Sequence, residues 1–252
     1  MSYPGSIYYV KVWKNVHKNL SFRIFEPAIN CKGKIKMTLP IYKFKEKIRY
    51  RLKTRHHKGH GIHSPYLYRF ISSVIQEKYP YYCFEQLENN SEFADSYLSR
   101  QQYKKDKRCG EIIFRIIQNA QFQHLLELGK TTGFETQYMS MANSKAKCIS
   151  ESNTAELATS TLLNQFKTLD FVFFNKMAGY QYTLDCFNSC LAKKNNDSIF
   201  VFKDIHENPD MKKAWKKIKT KEGVQVTMDI FDLGIILFKP ELEKRNYVLN
   251  TK

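Results

Sequence analysis

Glu127, Gly129 and Gly133 sit where an apolar run, Leu125 to Leu128, gives way to a helical pattern through Phe134, Tyr138 and Met139. Strand, glycine turn and helix in that order form the mononucleotide-binding half of a doubly wound α/β fold. A glycine at the turn can take positive φ and let the backbone approach a ligand closely, and the helix that follows offers unpaired N–H groups. The spacing is E-x-G-x-x-x-G, not the G-x-G-x-x-G of pyrophosphate binders, and no P-loop G-K-[ST] is present. An acid before the first glycine suits a ligand with a cationic or hydrogen-bond-donating group, a description that S-adenosylmethionine (SAM) fits through its amino-acid end. A βα turn without a ligand has the same spacing. If the glycine serves the ligand, Gly129→Val is expected to block binding and spare helix and strand.

A second acid falls at the expected interval. Ala146 to Ser150 reads as strand two and ends at Glu151, 22 residues past Gly129, where doubly wound nucleotide-binding folds hold ribose hydroxyls. Two histidines, His60 and His63, flank a glycine turn before Ser64 and Pro65, which are suited to cap and open a helix. They are acid–base candidates, or they only fix the helix start. A further group, Lys203-Asp204-Ile205-His206, follows the strand Ser198 to Phe202.

The elements that must position these residues alternate. A helix is expected at about 109–119, then the first strand, helices at 154–166, 180–193 and 209–219, a buried strand Leu169 to Phe174, and a closing antiparallel pair, Val224 to Asp229 and Leu233 to Phe238. Residues 78–108 read as a polar helix-and-loop connector. The expected fold is a Rossmann-like, mostly parallel α/β sheet with a terminal antiparallel hairpin and a ligand at the carboxyl ends of the strands. Only 18 residues, 152–169, lie between Glu151 and Asp170, too few for a helix, a third strand and another helix, so the third, edge strand is expected to be missing.

The chain has 252 residues and a formal charge of +17, of which residues 1–60 supply +13 through 15 Lys and Arg against Glu26 and Glu46. Three regions follow: a basic extension (1–58), a helical cap or connector (59–122) and the sheet domain (123–252). In the extension, basic residues from Lys43 to Arg55 alternate with Tyr42, Phe44, Ile48, Tyr50 and Leu52. Such a segment can lie on nucleic acid or an anionic lipid surface, or it can be a solvated docking helix. Residues 1–36 show no clear periodicity. The six cysteines form no C-x-x-C pair and point to a reducing, cytoplasmic setting, with Cys186 and Cys190 as packing thiols. No run of about 18 apolar residues is present.

Taken together, H-G-I-H-S-P (60–65), E-L-G-x-x-x-G (127–133), L-D-F-V-F-F (169–174) and D-I-H-x-x-P-x-M with A-W-x-x-I (204–218) make residues 42–249 resemble a class I SAM-dependent methyltransferase. More narrowly, the chain resembles the small methyltransferase-like proteins of Bacteroidetes-type bacteria. The resemblance implies a seven-stranded sheet and SAM over the loop Gly129 to Gly133. It implies Glu127, Thr131, Thr132 and Asn175 beside the cofactor and Glu151 on the ribose. His63, Asp204 or His206 would be the base on a methyl acceptor. Asp204 has two structural alternatives, pairing with Lys203 or capping the helix from Pro209.

The family pattern F-D-G-N-H is Phe174-Asn175-Lys176-Met177-Ala178 here, and D-D-I-H is Lys203-Asp204-Ile205-His206. Hard cations want carboxylate oxygens at these strand ends, and Lys203 brings an ammonium, so no metal is expected. Three functions fit: a metal-independent, O-methyltransferase-like enzyme, a methyltransferase-fold scaffold without catalysis, and a basic binder of nucleic acid or membrane surface through residues 1–58.

Overall fold

A computed structural model describes residues 39–54, 56–57, 61–88, 99–151 and 161–250. His60 and most of the helix expected at 154–166 lie outside the described residues. The unit that holds the sheet begins at Leu39.

Among the described residues eight strands form one sheet. In chain order they are β1 (His56–His57), β2 (His124–Gly129), β3 (Lys147–Glu151), β4 (Leu169–Asn175), β5 (Lys194–Lys203), β6 (Val226–Asp229), β7 (Leu233–Leu237) and β8 (Arg245–Asn250). Their spatial order is β1-β8-β6-β7-β5-β4-β2-β3. Neighbours from β3 to β5 run parallel, and β7 is antiparallel to both β5 and β6. The chain moves outward from β2 to β3, then returns to the other side of β2 at β4, so the topological switch lies between β2 and β4. This is a Rossmann-like, doubly wound sheet. Among the described residues β3 is its edge. At the other edge the sheet goes beyond the expected hairpin: β8 pairs parallel with β6, and β1 pairs parallel with β8. The signal for β8 was the alternation that turns Tyr247 and Leu249 inward.

The central strands read as unbroken apolar runs because both faces are covered. Leu125, Phe171, Phe173, Ile199 and Val201 face one layer, while Leu126, Val172, Phe174, Phe200 and Phe202 face the other. On the first face lie α4 (Arg100–Ala120) and α5 (Phe134–Ala142). On the second lie α6 (Tyr180–Leu191) and α7 (Pro209–Ile218). Phe174 and Phe202, paired in register, stack at 4.1 Å under Phe187 of α6. Cys186 and Cys190 are buried thiols in this layer. Two glycines let bulky rings in: a Cβ on Gly110 of α4 would collide with the Tyr138 ring, and one on Gly234 would lie 2.8 Å from Trp215.

The described residues of the connector expected at 78–108 are largely helical. Helix α3 (Tyr82–Glu88) precedes α4, which starts at Arg100 with Ser99 as its cap. The charged run 104–108 is therefore a turn of α4. Its apolar face, Cys109, Ile113 and Ile116, extends back at i−3 to Asp106.

Upstream, α1 (Leu39–Lys53) and α2 (Pro65–Phe70) flank the sheet. Ser64 caps α2, as expected, by accepting from Leu67 N. A π-helical turn, Ile71–Ile75, continues α2, and Arg115 Nε donates to its Val74 carbonyl at 2.8 Å. At the amino-terminal edge, Asp170 accepts from the backbone N–H groups of Gln123 and His124 and from Asn195, fixing the starts of β2, β4 and β5 together. The Asp of L-D-F-V-F-F is thus a clamp on the sheet.

Candidate functional site at the carboxyl ends of β2 to β5

The register brings the residues singled out for a cofactor to one edge. Leu128 lies opposite Glu151, and Gly129 lies opposite Asn175. Thr131 Oγ1 accepts from Gly133 N at 2.9 Å and so shapes the loop, and Thr132 is exposed on it. Glu127 is fully buried. Its carboxylate accepts from Thr136 Oγ1, from Ser150 Oγ at 2.9 Å and from Asn175 Nδ2 at 2.9 Å, so the acid of the turn braces β2, β3, β4 and α5 from inside. Asn175 also donates to Glu135 at 3.3 Å, while its Oδ1 is buried without a hydrogen-bond partner.

The two glycines have different reasons to be glycine. At Gly129, φ is +108° and a Cβ would be driven into the Asn175 carbonyl oxygen and to 3.0 Å from Met177 S. The expectation that Gly129→Val would spare the fold is therefore corrected, because the residue is kept small by the neighbouring strand. At Gly133, φ is +80° and a Cβ would meet nothing within 4 Å. Gly133 opens onto a cleft of about 560 Å³ that is also lined by Leu87, Thr136, Gln137, Ser140, Met141 and Ser150.

Beside Asn175 a second layer of charge is buried. Lys203, 1% exposed, holds Asp106 at 2.8 Å and also pairs with Glu135. Gln102 completes Asp106 at 2.8 Å. Burial pushes Asp106 up, but Lys203 outweighs it and the carboxyl titrates below its ordinary value. Glu135 is more deeply buried and has Asp106 and Glu127 as further neighbours, so burial wins and its carboxyl is raised despite Lys203. Burial lowers Lys203, but Glu135, Cys109 and Asp106 reverse this and keep it an ammonium. The cluster of Glu127, Glu135, Asp106 and Lys203 sets three carboxyls against one cation. Sequence reading missed Asp106 and Glu135, one inside an assumed connector and the other inside a helix. The i, i+3, i+7 series Asp106, Cys109, Ile113 was the available signal for the first.

The three base candidates meet different partners. His63 is exposed just before α2. Asp204, at φ +62°, pairs with Lys105, which also reaches Asp232 at 3.5 Å. Asp204 therefore pairs with Lys105, not Lys203, and the cap of α7 is Asn208, whose Oδ1 accepts from Met211 N at 2.9 Å. His206 Nε2 meets Asp229 at 2.8 Å, and its ring stacks on Phe231 at 5.3 Å. Its Nδ1 is buried without a hydrogen bond, 3.9 Å from Glu46 of α1. Among the described residues no cluster of three or more His, Cys, Asp or Glu is arranged to hold a metal ion, and no helix is long and apolar enough to cross a membrane.

No protein-family profile matches the sequence, and no curated protein matches it. Solved structures do resemble the fold at low identity. An O-methyltransferase from Bacillus cereus in complex with SAH is 12% identical with a TM-score of 0.44, covering 67% of this chain and 96% of its own. The O-methyltransferase TomG from Streptomyces achromogenes in complex with SAM is 14% identical with a TM-score of 0.44, covering 68% and 94%. A SAH-bound methyltransferase from Podospora anserina is 11% identical with a TM-score of 0.44, covering 70% and 97%.

Proposed function

We propose that this chain is a SAM-dependent, metal-independent methyltransferase of O-methyltransferase-like type, with SAM at the carboxyl edge of β3, β2 and β4. The observation that carries the reading is the excess of buried carboxyls at that edge: Glu127, Glu135 and Asp106 against Lys203 alone. Such a field favours a cationic ligand and opposes the pyrophosphate of a dinucleotide. Two further features fit. Asn175 Oδ1 is a buried acceptor short of a donor, which an α-ammonium supplies. Gly133 leaves open space where backbone meets ligand, and Glu151 ends β3 opposite Leu128. When bound, SAM supplies an electrophilic methyl group on a sulfonium. The chain supplies position: the glycine loop and Glu151 orient the ligand, and the closed network beneath excludes water. With its ammonium between Asp106 and Glu135, Lys203 takes the place a hard cation would need.

Calorimetric titration of the full chain tests this. Micromolar binding of SAM is expected, weakened about tenfold to a hundredfold in Glu151→Ala, the effect of one charge-assisted hydrogen bond. Silence at millimolar SAM overturns the cofactor assignment. A second reading, binding without methyl transfer, is favoured by the engagement of Asp204 with Lys105 and of His206 with Asp229, which leaves neither facing an acceptor unaided. It predicts SAM binding with no methyl transfer to any nucleophile.

A further inference from the structure

Helix α1 is amphipathic the wrong way round for a docking helix. The face it buries is polar: Tyr42 and Glu46 turn inward, Glu46 pairs with Lys212 and Arg49, and the Tyr50 hydroxyl donates to the Leu249 carbonyl. The face it exposes is apolar. Ile41, Phe44, Ile48 and Leu52 follow intervals of three, four and four, one stripe along the helix, and are 55, 67, 44 and 81% exposed. At about 100° per residue, Lys45 borders the stripe on one side and Lys47 and Arg51 on the other.

We propose that α1 is a membrane-surface helix that seats this stripe in an anionic lipid bilayer, with its basic borders on the headgroups. An apolar strip between two basic borders is what an interfacial helix requires. Charge selects this occupant over the others. The chain before Leu39 carries seven Lys and Arg against Glu26 alone, so its charge does not complement the basic borders, and a second copy would set the same cations against each other. Nucleic acid would neutralise the borders but leave four large apolar side chains in water. Cations continue beyond the helix: Lys219 of the neighbouring turn is pushed down by burial and also by Lys53 and Lys216.

The test is sedimentation of the full chain with vesicles of phosphatidylcholine alone and of phosphatidylcholine with phosphatidylglycerol. Binding to the anionic vesicles only is expected, weakening with salt. It should fall at least tenfold in Phe44→Ser with Leu52→Ser, and likewise in Lys45→Glu with Arg51→Glu, with melting temperatures unchanged because all four side chains are exposed. Equal binding by the apolar pair variant overturns the proposal. So does binding of single-stranded RNA without vesicle binding, or a wild-type dimer, blind to vesicles, that the apolar pair splits.

Discussion

Removing the ammonium of Lys203 while keeping its bulk, as Lys203→Met, leaves Asp106 and Glu135 facing each other at side-chain exposures of 3% and 1%. Breaking a buried pair by deleting one partner costs about 3–5 kcal/mol, since the residual charge is uncompensated. Here two carboxyls lose one cation, which places the loss toward the upper end. In a domain of this size each kcal/mol moves the melting temperature by about 2–4 °C, so a drop of roughly 10–20 °C is expected at pH 7.5.

The pH dependence has a definite sign. In the wild-type protein Asp106 is depressed, so its contribution is present above the ordinary Asp value and fades as pH falls through the lower folded value. Lys203 is raised, so its contribution is present below the ordinary Lys value and is lost only as pH rises through the still higher folded value. Glu135, raised by burial, acts oppositely: it favours folding at low pH and less so as pH rises through its folded value. Without Lys203 both carboxyls follow Glu135, so the variant's deficit shrinks at pH 5. Urea unfolding followed by circular dichroism at pH 7.5 and pH 5 measures both effects. Adding Asp106→Asn and Glu135→Gln to Lys203→Met should restore most of the loss at pH 7.5. A single-variant loss below about 1 kcal/mol, or a loss that grows at pH 5, refutes the reasoning.

Three other substitutions probe packing. Gly129→Ala should destabilise by about 3 kcal/mol or more through collision with the Asn175 carbonyl and a strained positive φ, read as a fall in melting temperature with or without SAM. Gly110→Ala should cost about 1–3 kcal/mol by displacing the Tyr138 ring between α4 and α5, and Tyr138→Leu in the same chain should recover part of it. Arg115→Met should cost about 1.5–3 kcal/mol by removing the donor to Val74 O in the π-helical turn, with faster hydrogen exchange in Ile71–Ile75.

Local pattern carried most of the fold. The apolar runs of β2, β4 and β5, the Ser64–Pro65 helix start and the glycine turn are short-range signals, and each formed the expected element. β8 and β1 escaped because their pairing is between residues far apart in sequence. Helix α1 forms over the basic, alternating stretch that begins at Tyr42. Its alternating pattern did not show that Tyr42 and Glu46 would turn inward and the apolar stripe outward.

By itself the sequence determined the class of sheet and put Glu127, Gly129, Glu151 and Asn175 at its strand ends, since these follow from periodicity, turn chemistry and chain order. Only the tertiary structure decided what those residues do. Glu127 is satisfied internally by three donors, Gly129 answers to Asn175 across the strands, and Asp204 pairs with a lysine 99 positions away. A side chain's partner in a packed interior is set by which elements the fold brings within about 3 Å, and local sequence holds no record of that distance.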